Sequence, residues 1–329
     1  MFLKSRKLQY SLAINEALDQ MMSADKFLIL LGQGVRSPWY VGNTTQGLFK
    51  KFGSRRVIDT PVSENAITGV AVGAAIAGIR SIVVHPRMDF MLYAADPIIN
   101  QAANWHYMFG GASSVPMVIW AIINRGREQA AQHSQALQAI FTHIPGLKVV
   151  APSNPYDAKG LFISAIKEDN PVLYLDNRWL YEIEGDVPEE IYAVPIGKGK
   201  TIRKGKDVTI AASSYMVWEA KKAVNELVKE GINPELIDLR SLKPLDSELL
   251  FLSVKKTGRL VVVDEGWQTC GVAAEISALV GENIFASLQA PIRRITLPDS
   301  PAPASSALEG VYYPKAKDIC EAVRKILKI

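Results

Sequence analysis

The sequence predicts an α/β protein: a larger first domain built on a parallel sheet covered on both faces, then a smaller second α/β domain. Three observations predict it. Between residues 26 and 176, short apolar runs of strand length alternate with longer runs of helical spacing. The rhythm breaks at 183–207, IEGDVPEEIYAVPIGKGKTIRKGKD, which is rich in Pro, Gly and charge and has no helical period. It then restarts and continues to the C-terminal residues.

In chain order, MFLKSRKLQYSLAINEALDQ reads as an amphipathic helix marked by Leu8, Leu12 and Leu18, rather than as a signal peptide. KFLILLG (26–32), RSIVVH (80–85), VPMVIWAII (115–123), LKVVAP (147–152) and PVLYLD (171–176) read as buried strands. Helical segments are expected from near Ser63, Ala94 and Asp157. These elements form a first domain over 1–190. Residues 191–206 are expected as a linker with a short hairpin. A second domain over 207–329 strings together DVTIAAS, a helix over 217–229, PELIDLR, a helix after Pro244, RLVVVDE, a helix after Gly271, PIRRITLP and a closing helix over 315–327.

At 329 residues the chain is long enough for two domains. Its hydrophobic content of 48% and charged content of 21% are ordinary for a globular protein. A net charge of +4 is dispersed, with no basic arm or nucleic-acid motif, so no nucleic-acid partner is expected. Cys270 and Cys320 are far apart and there is no CxxC. Neither a thiolate metal cluster nor a disulfide framework is indicated, and a reduced, cytoplasmic setting is expected. The longest apolar run, 66–79, is too short for a membrane span and is rich in Gly and Ala.

TPVSENAITGVAVGAAIAG (60–78) carries one acid, Glu64, at the start of a helix whose N-cap is Ser63. Gly69, Gly73 and Ala77 recur every fourth residue. Glycines in a helix interior cost roughly 1 kcal/mol each, so this bare stripe is expected to pack closely, across a subunit contact. Taken alone, Glu64 is a first-turn acid favoured by the helix dipole. If its apolar surroundings bury it, it shifts toward the protonated form and becomes a hydrogen-bond donor.

DTPVSENAITGVAVGAAIAG, AAQHSQALQAIFTHIPGLKVVAPSNPYDAKGL, LIDLRSLKPLD and LVVVDEGWQTCGVAAEI together resemble the beta subunit of the first component of thiamine-diphosphate-dependent 2-oxo acid dehydrogenases, within the transketolase-like superfamily. The resemblance runs through nearly the whole chain. It implies a pyrimidine-binding domain of the thiamine-diphosphate-binding fold and a transketolase C-terminal-like domain. It also implies that Glu64 hydrogen-bonds the aminopyrimidine ring of the cofactor, that Phe90 of HPRMDF lies against that ring, and that His133 of AAQHSQ assists acyl transfer. Without the resemblance, Phe90 is an ordinary core ring and His133 a loop histidine. His143 reads as structural.

The GDG…N motif that holds magnesium and diphosphate in such enzymes is missing; EGDV at 184–187 lacks the second glycine. The resemblance therefore implies an alpha-type partner carrying that half, a heterotetramer of two alpha and two beta chains, and a lipoyl acyltransferase as further partner. A potassium ion bound by backbone carbonyls near GGASS (110–114) is a further implication. Three segments depart from the family: GQGVRSPWYVG replaces an acidic loop, HPRMDF brings His85, Arg87 and Asp89, and NRGREQ brings Arg125 and Arg127. Arg87, Arg125 and Gln132 are candidates for a substrate channel, and the arginines suit a carboxylate or phosphate; each alone is also explained as solvated loop charge.

The expected reaction is decarboxylation of a 2-oxo acid with transfer of the acyl unit to lipoamide. The alternative is a transketolase-like or acyloin-forming ligase that passes the unit to an aldehyde, ketone or sugar. A non-catalytic assembly chain is the third possibility, opposed by the presence of Glu64, Phe90 and His133. The second domain is expected to carry no site chemistry, with Trp267 as an anchor between subunits.

Overall fold

The computed structural model describes residues 5–328. The chain forms two compact units, 1–125 with 140–196, and 126–139 with 197–329. In the first unit a sheet runs in the order Lys148–Val150, Val172–Asn177, Met117–Ile123, Ser81–His85, Ile29–Gln33, Val57–Thr60, with parallel pairing throughout. The strands at 81–85, 117–123 and 172–177 are buried at every position. That is why they read as continuous apolar runs: both faces are covered, so alternation is lost. The edge strand Val57–Thr60, half exposed, has no such run and escapes the sequence pattern.

The N-terminal segment differs from its expectation. Residues Ser5–Gln9 form a strand paired antiparallel with Glu184–Pro188, and the helix begins only at Tyr10. Arg6, Lys7, Leu8 and Gln9 hold a single apolar residue, too few to distinguish a strand from a helix. Leu8 therefore lies on a strand, while Leu18 lies in the buried face of helix Tyr10–Ala24 with Tyr10, Ile14 and Met22.

That helix packs against helix Pro155–Lys167, whose N-cap Asn154 accepts from Asp157 N at 3.0 Å. Between them Lys159 is 0% exposed. Its ammonium donates to Glu16 Oε1 at 2.5 Å, to the Pro188 carbonyl at 2.7 Å and to the Glu189 carbonyl at 3.2 Å. One buried cation thus ties the first helix, a crossover helix and the end of the N-terminal ribbon. Arg6 also pairs with Glu16.

In the second unit the sheet order is Arg293–Leu297, Leu260–Trp267, Val208–Ala212, Pro234–Asp238, Lys200–Arg203; only the last pairing is antiparallel. Helices Tyr215–Lys229 and Ala316–Leu327 pack together over it. Their buried Met216, Ala220, Ala223, Ile319 and Val323 meet Ile210, Val261 and Val263 of the strands. The expected hairpin in the linker is absent. Both strands of the 183–207 segment pair elsewhere, Glu184–Pro188 with Ser5–Gln9 and Lys200–Arg203 with Pro234–Asp238. Gly and Pro there mark the chain's passage between sheets rather than a tight turn. Helix Ser306–Tyr312 follows a Pro- and Ser-rich run that hides it in the sequence.

Replacing Lys159 by Met is expected to destabilise the protein by about 3 kcal/mol, because it leaves Glu16 Oε1 and two carbonyls without that donor. Urea unfolding of Lys159→Met against the parent checks this; a difference within error would remove the network from the account of stability.

Candidate functional site

The sheet of the first unit is parallel, so its strands all deliver their carboxyl ends to one edge. In α/β sheets that edge is where ligands are held. Strand Val57–Thr60 ends there and leads, through Pro61 and an extended Ser63, into helix Glu64–Ile76. Ser63 occupies the expected cap position but makes no side-chain capping bond. Glu64 is half-buried, not buried as expected, because the first turn of a helix on this edge meets solvent. Among the described residues no hydrogen bond or ion pair reaches its carboxylate. The stripe Gly69, Gly73, Ala77 is exposed, and a Cβ built on either glycine would meet nothing within 4 Å. Within the single chain the stripe therefore packs against nothing.

Helix Glu64–Ile76 lies against the 3-10 turn Phe90–Ala94, where Asn65 Nδ2 donates to the Tyr93 carbonyl at 3.4 Å. This brings the elements bearing Glu64 and Phe90 together. Phe90 is half-buried. The helical stretch expected near Ala94 is real but irregular: the 3-10 turn runs into a π-helix at Asp96–Ala102 and an α-helix at Ala103–Met108. Pro97 removes a backbone donor early in it, which suits a locally widened turn.

One turn on from Glu64, Thr68 Oγ1 lies 3.2 Å from His85 Nε2. His85 ends strand Ser81–His85 and is 1% exposed, and burial pushes its pKa down to about 3. It is a neutral imidazole that fixes the first turns of the Glu64 helix to the strand end. Among the described residues its Nδ1 has no partner.

Arg125 and Arg87 are not solvated loop charge, whereas Arg127 is exposed. Arg125 is 2% exposed, with its guanidinium carbon 5.0 Å from the centroid of the Trp179 ring. Arg87 is half-buried and donates to the Pro86 carbonyl at 2.9 Å. With the Asn124 amide oxygen turned toward it, Asn124 accepts from Arg87 Nη1 at 2.7 Å and Nε at 3.1 Å. Burial first, then repulsion from Arg178, holds the Arg87 pKa below the usual arginine value. Arg178, on the turn after strand Val172–Asn177, donates to the Trp39 and Tyr40 carbonyls at 3.0 and 2.7 Å.

Two features of this edge are not apparent in the sequence. Asp176 is fully buried and accepts from Trp120 Nε1 at 3.0 Å and from the Tyr181 hydroxyl at 2.8 Å. Burial raises its pKa to about 7 despite those two donors. The residue closes an apolar run, PVLYLD, where an acid reads as the strand's exit into solvent. Arg178 likewise reads as a surface charge.

His133 and Gln132 lie in the other unit, in the segment 126–139. Gln132 is exposed and His133 half-buried. The segment is held within the second unit. Gln138 Nε2 donates to Asp264 Oδ1 at 2.8 Å, and Asp264 also accepts from Gly266 N and Ala273 N. Trp267 is likewise tied within its unit: its Nε1 donates to the Ser300 carbonyl at 2.9 Å and to the Tyr312 hydroxyl at 3.2 Å. Among the described residues no three His, Cys, Asp or Glu side chains gather as a metal site, and no helix is long and apolar enough to cross a membrane.

Comparison with known proteins matches residues 6–183 to the transketolase pyrimidine binding domain and residues 197–319 to the transketolase C-terminal domain. Over 334 residues the chain is 47% identical to the acetoin:2,6-dichlorophenolindophenol oxidoreductase subunit beta of Cupriavidus necator, covering 98% of each. It is 43% identical to the pyruvate dehydrogenase E1 component subunit beta of Rickettsia felis, covering 95% of this chain and 96% of that one. The chain belongs to the transketolase-like family of dehydrogenase beta subunits. A solved structure described as a split gene transketolase, inactive beta4 tetramer, superposes with a TM-score of 0.79 at 23% identity, covering 98% of each chain, and so shares the fold. The family works with thiamine diphosphate, and the residues of this beta subunit fit the pyrimidine end of that cofactor. Glu64 is a half-buried carboxylate with no internal partner, and Phe90 is a half-buried ring on the neighbouring element.

Asp176 and His85 titrate in opposition. The raised Asp176 favours the folded state below the unfolded value of 3.8, an advantage lost as pH rises through about 7. The depressed His85 favours it above 6.5, an advantage lost as pH falls toward about 3. Asp176→Asn removes only the first effect. Its stability relative to the parent is expected to rise between pH 4 and 7, by up to ~1.4 kcal/mol per pH unit. Urea unfolding of both proteins across that range gives the slope; a pH-independent difference would mean that Asp176 is ionised throughout.

Proposed function

We propose that this chain is the beta half of a thiamine-diphosphate-dependent enzyme that decarboxylates a 2-oxo acid and passes the acyl unit to lipoamide. The observation that carries the reading is Glu64: a half-buried carboxylate, without an internal partner, at the carboxyl edge of a parallel sheet beside the element bearing Phe90. The cofactor, when bound, supplies the electron sink that lets a bond next to a carbonyl carbon break. Glu64 would hold a proton against a nitrogen of its pyrimidine ring, and Phe90 would pack on that ring. His85, neutral and tied to Thr68, keeps the Glu64 helix in place. His133 would serve the transfer of the acyl unit.

The chain has no GDG motif, so the diphosphate and its magnesium fall to an alpha-type partner, in a heterotetramer of two alpha and two beta chains. A lipoyl acyltransferase is the further partner, potassium would be held by backbone carbonyls, and the setting is cytoplasmic. Arg87 and the buried Arg125 support a donor with a carboxylate, since a desolvated guanidinium prefers a planar anion.

A second reading replaces the 2-oxo acid by an acyloin, a neutral hydroxyketone, and is favoured by the 47% identity to the acetoin oxidoreductase subunit. Coexpression with an alpha-type chain, followed by dye reduction with pyruvate, longer 2-oxo acids and acetoin in turn, separates the two. A preference for acetoin would overturn the 2-oxo acid assignment and leave the cofactor assignment standing.

Glu64→Ala is expected to assemble and melt like the parent, because the carboxylate holds nothing within the chain, while turnover drops by about 100-fold or more. Full activity in a correctly assembled Glu64→Ala enzyme would refute the mechanism.

A further inference from the structure

The segment carrying His133 leaves strand Met117–Ile123 and does not follow an easy backbone path. Gly126, Arg127, Glu128 and Ala130 all have left-handed φ, at 68°, 56°, 61° and 58°. For glycine this is free, whereas three side-chain-bearing residues there cost on the order of 1 kcal/mol each and need outside support. Support comes from 306–313. The Tyr313 hydroxyl accepts from Gly126 N at 3.2 Å. Glu309 Oε1 accepts from Glu128 N at 2.9 Å. In return, Glu128 Oε1 accepts from Ser306 N at 3.4 Å, at the start of helix Ser306–Tyr312. Glu309 is 9% exposed, so its bond to the Glu128 amide meets little competition from water. Five residues beyond Glu128 stands His133, whose own N–H donates to the Ala130 carbonyl at 3.4 Å. The far end of the segment is pinned by Gln138 on Asp264.

We infer that Glu309 is a positioning residue for His133: its carboxylate holds the left-handed turn at 127–130 from which the histidine loop is set. The inference rests on the role proposed above for His133. A carboxylate in the last third of the chain, in a helix hidden by a Pro- and Ser-rich run, thereby controls acyl transfer without touching the acyl group.

The test uses the enzyme assembled with its alpha-type partner and three variants, Glu309→Ala, Glu309→Gln and His133→Ala. Two activities are read, dye reduction and lipoamide-coupled turnover, together with hydrogen exchange of the amides in 126–133. Glu309→Ala is expected to speed exchange in 126–133 alone. It should lower lipoamide-coupled kcat on the order of tenfold or more, as a misplaced catalytic group does, with dye reduction falling much less. His133→Ala should show the same split between assays with no change in exchange. Glu309→Gln keeps an oxygen acceptor and is expected to restore both exchange and transfer. Unchanged exchange in Glu309→Ala would overturn the proposed contact. Faster exchange with both activities falling together would overturn the link to His133 and leave the cofactor reading untouched. That reading fails on a different result, the absence of thiamine-dependent dye reduction in the parent enzyme.

Discussion

Parallel pairing is the constraint from which the rest follows. Six strands of the first unit run the same way, so every crossover returns over a face and every strand ends on one edge. Covering both faces fills the middle strands with Val, Ile, Leu and Trp and leaves no room there for chemistry. Polar groups are confined to the strand ends. Thus Glu64, His85, Arg87, Phe90, Arg125, Asp176 and Arg178 all come from the carboxyl ends of four strands.

Ionisable groups at that edge are managed in two ways. Lys159, farther back, has three oxygens within 3.2 Å and is a structural cation. Asp176 and His85 have fewer partners than their atoms allow, and burial pushes both toward the neutral form. With the negative charge of Asp176 weakened by burial, the field at that edge is dominated by arginines, and Arg178 lowers the affinity of Arg87 for its proton. An anion entering such an edge meets cations that are partly withdrawn from water.

The sequence showed these features unevenly, and the reasons are physical. Buried central strands and the helix from Glu64 were legible because double coverage forces continuous apolar runs and because Pro-x-Ser-Glu marks a helix start. Strand Val57–Thr60 and helix Ser306–Tyr312 were not, since partial exposure and neighbouring prolines erase their periods. Ser5–Gln9 was misread because its pairing partner lies some 180 residues away, beyond any local window. Glu64, Phe90 and His133 were singled out through long compound motifs. Asp176 and Glu309 carry no motif: an acid closing a strand or opening a short helix looks like solvent contact until the surrounding packing is seen. The burial of Arg125 was hidden for the same reason.

Glu64 shows what kind of molecule this is. A carboxylate withdrawn partly from water, with no donor among the described residues, is a local inconsistency. Helix Glu64–Ile76 repeats the inconsistency, spending two glycines on a face that meets nothing. Neither feature stabilises the isolated chain, and both cease to be anomalies once something outside the chain completes them. Under the function proposed above, a ring nitrogen would supply the donor that Glu64 lacks, and a second backbone brought close would give the bare stripe its purpose. Incompleteness at two points of one helix is what the proposed half-site would leave in the single chain, and the missing diphosphate motif points the same way.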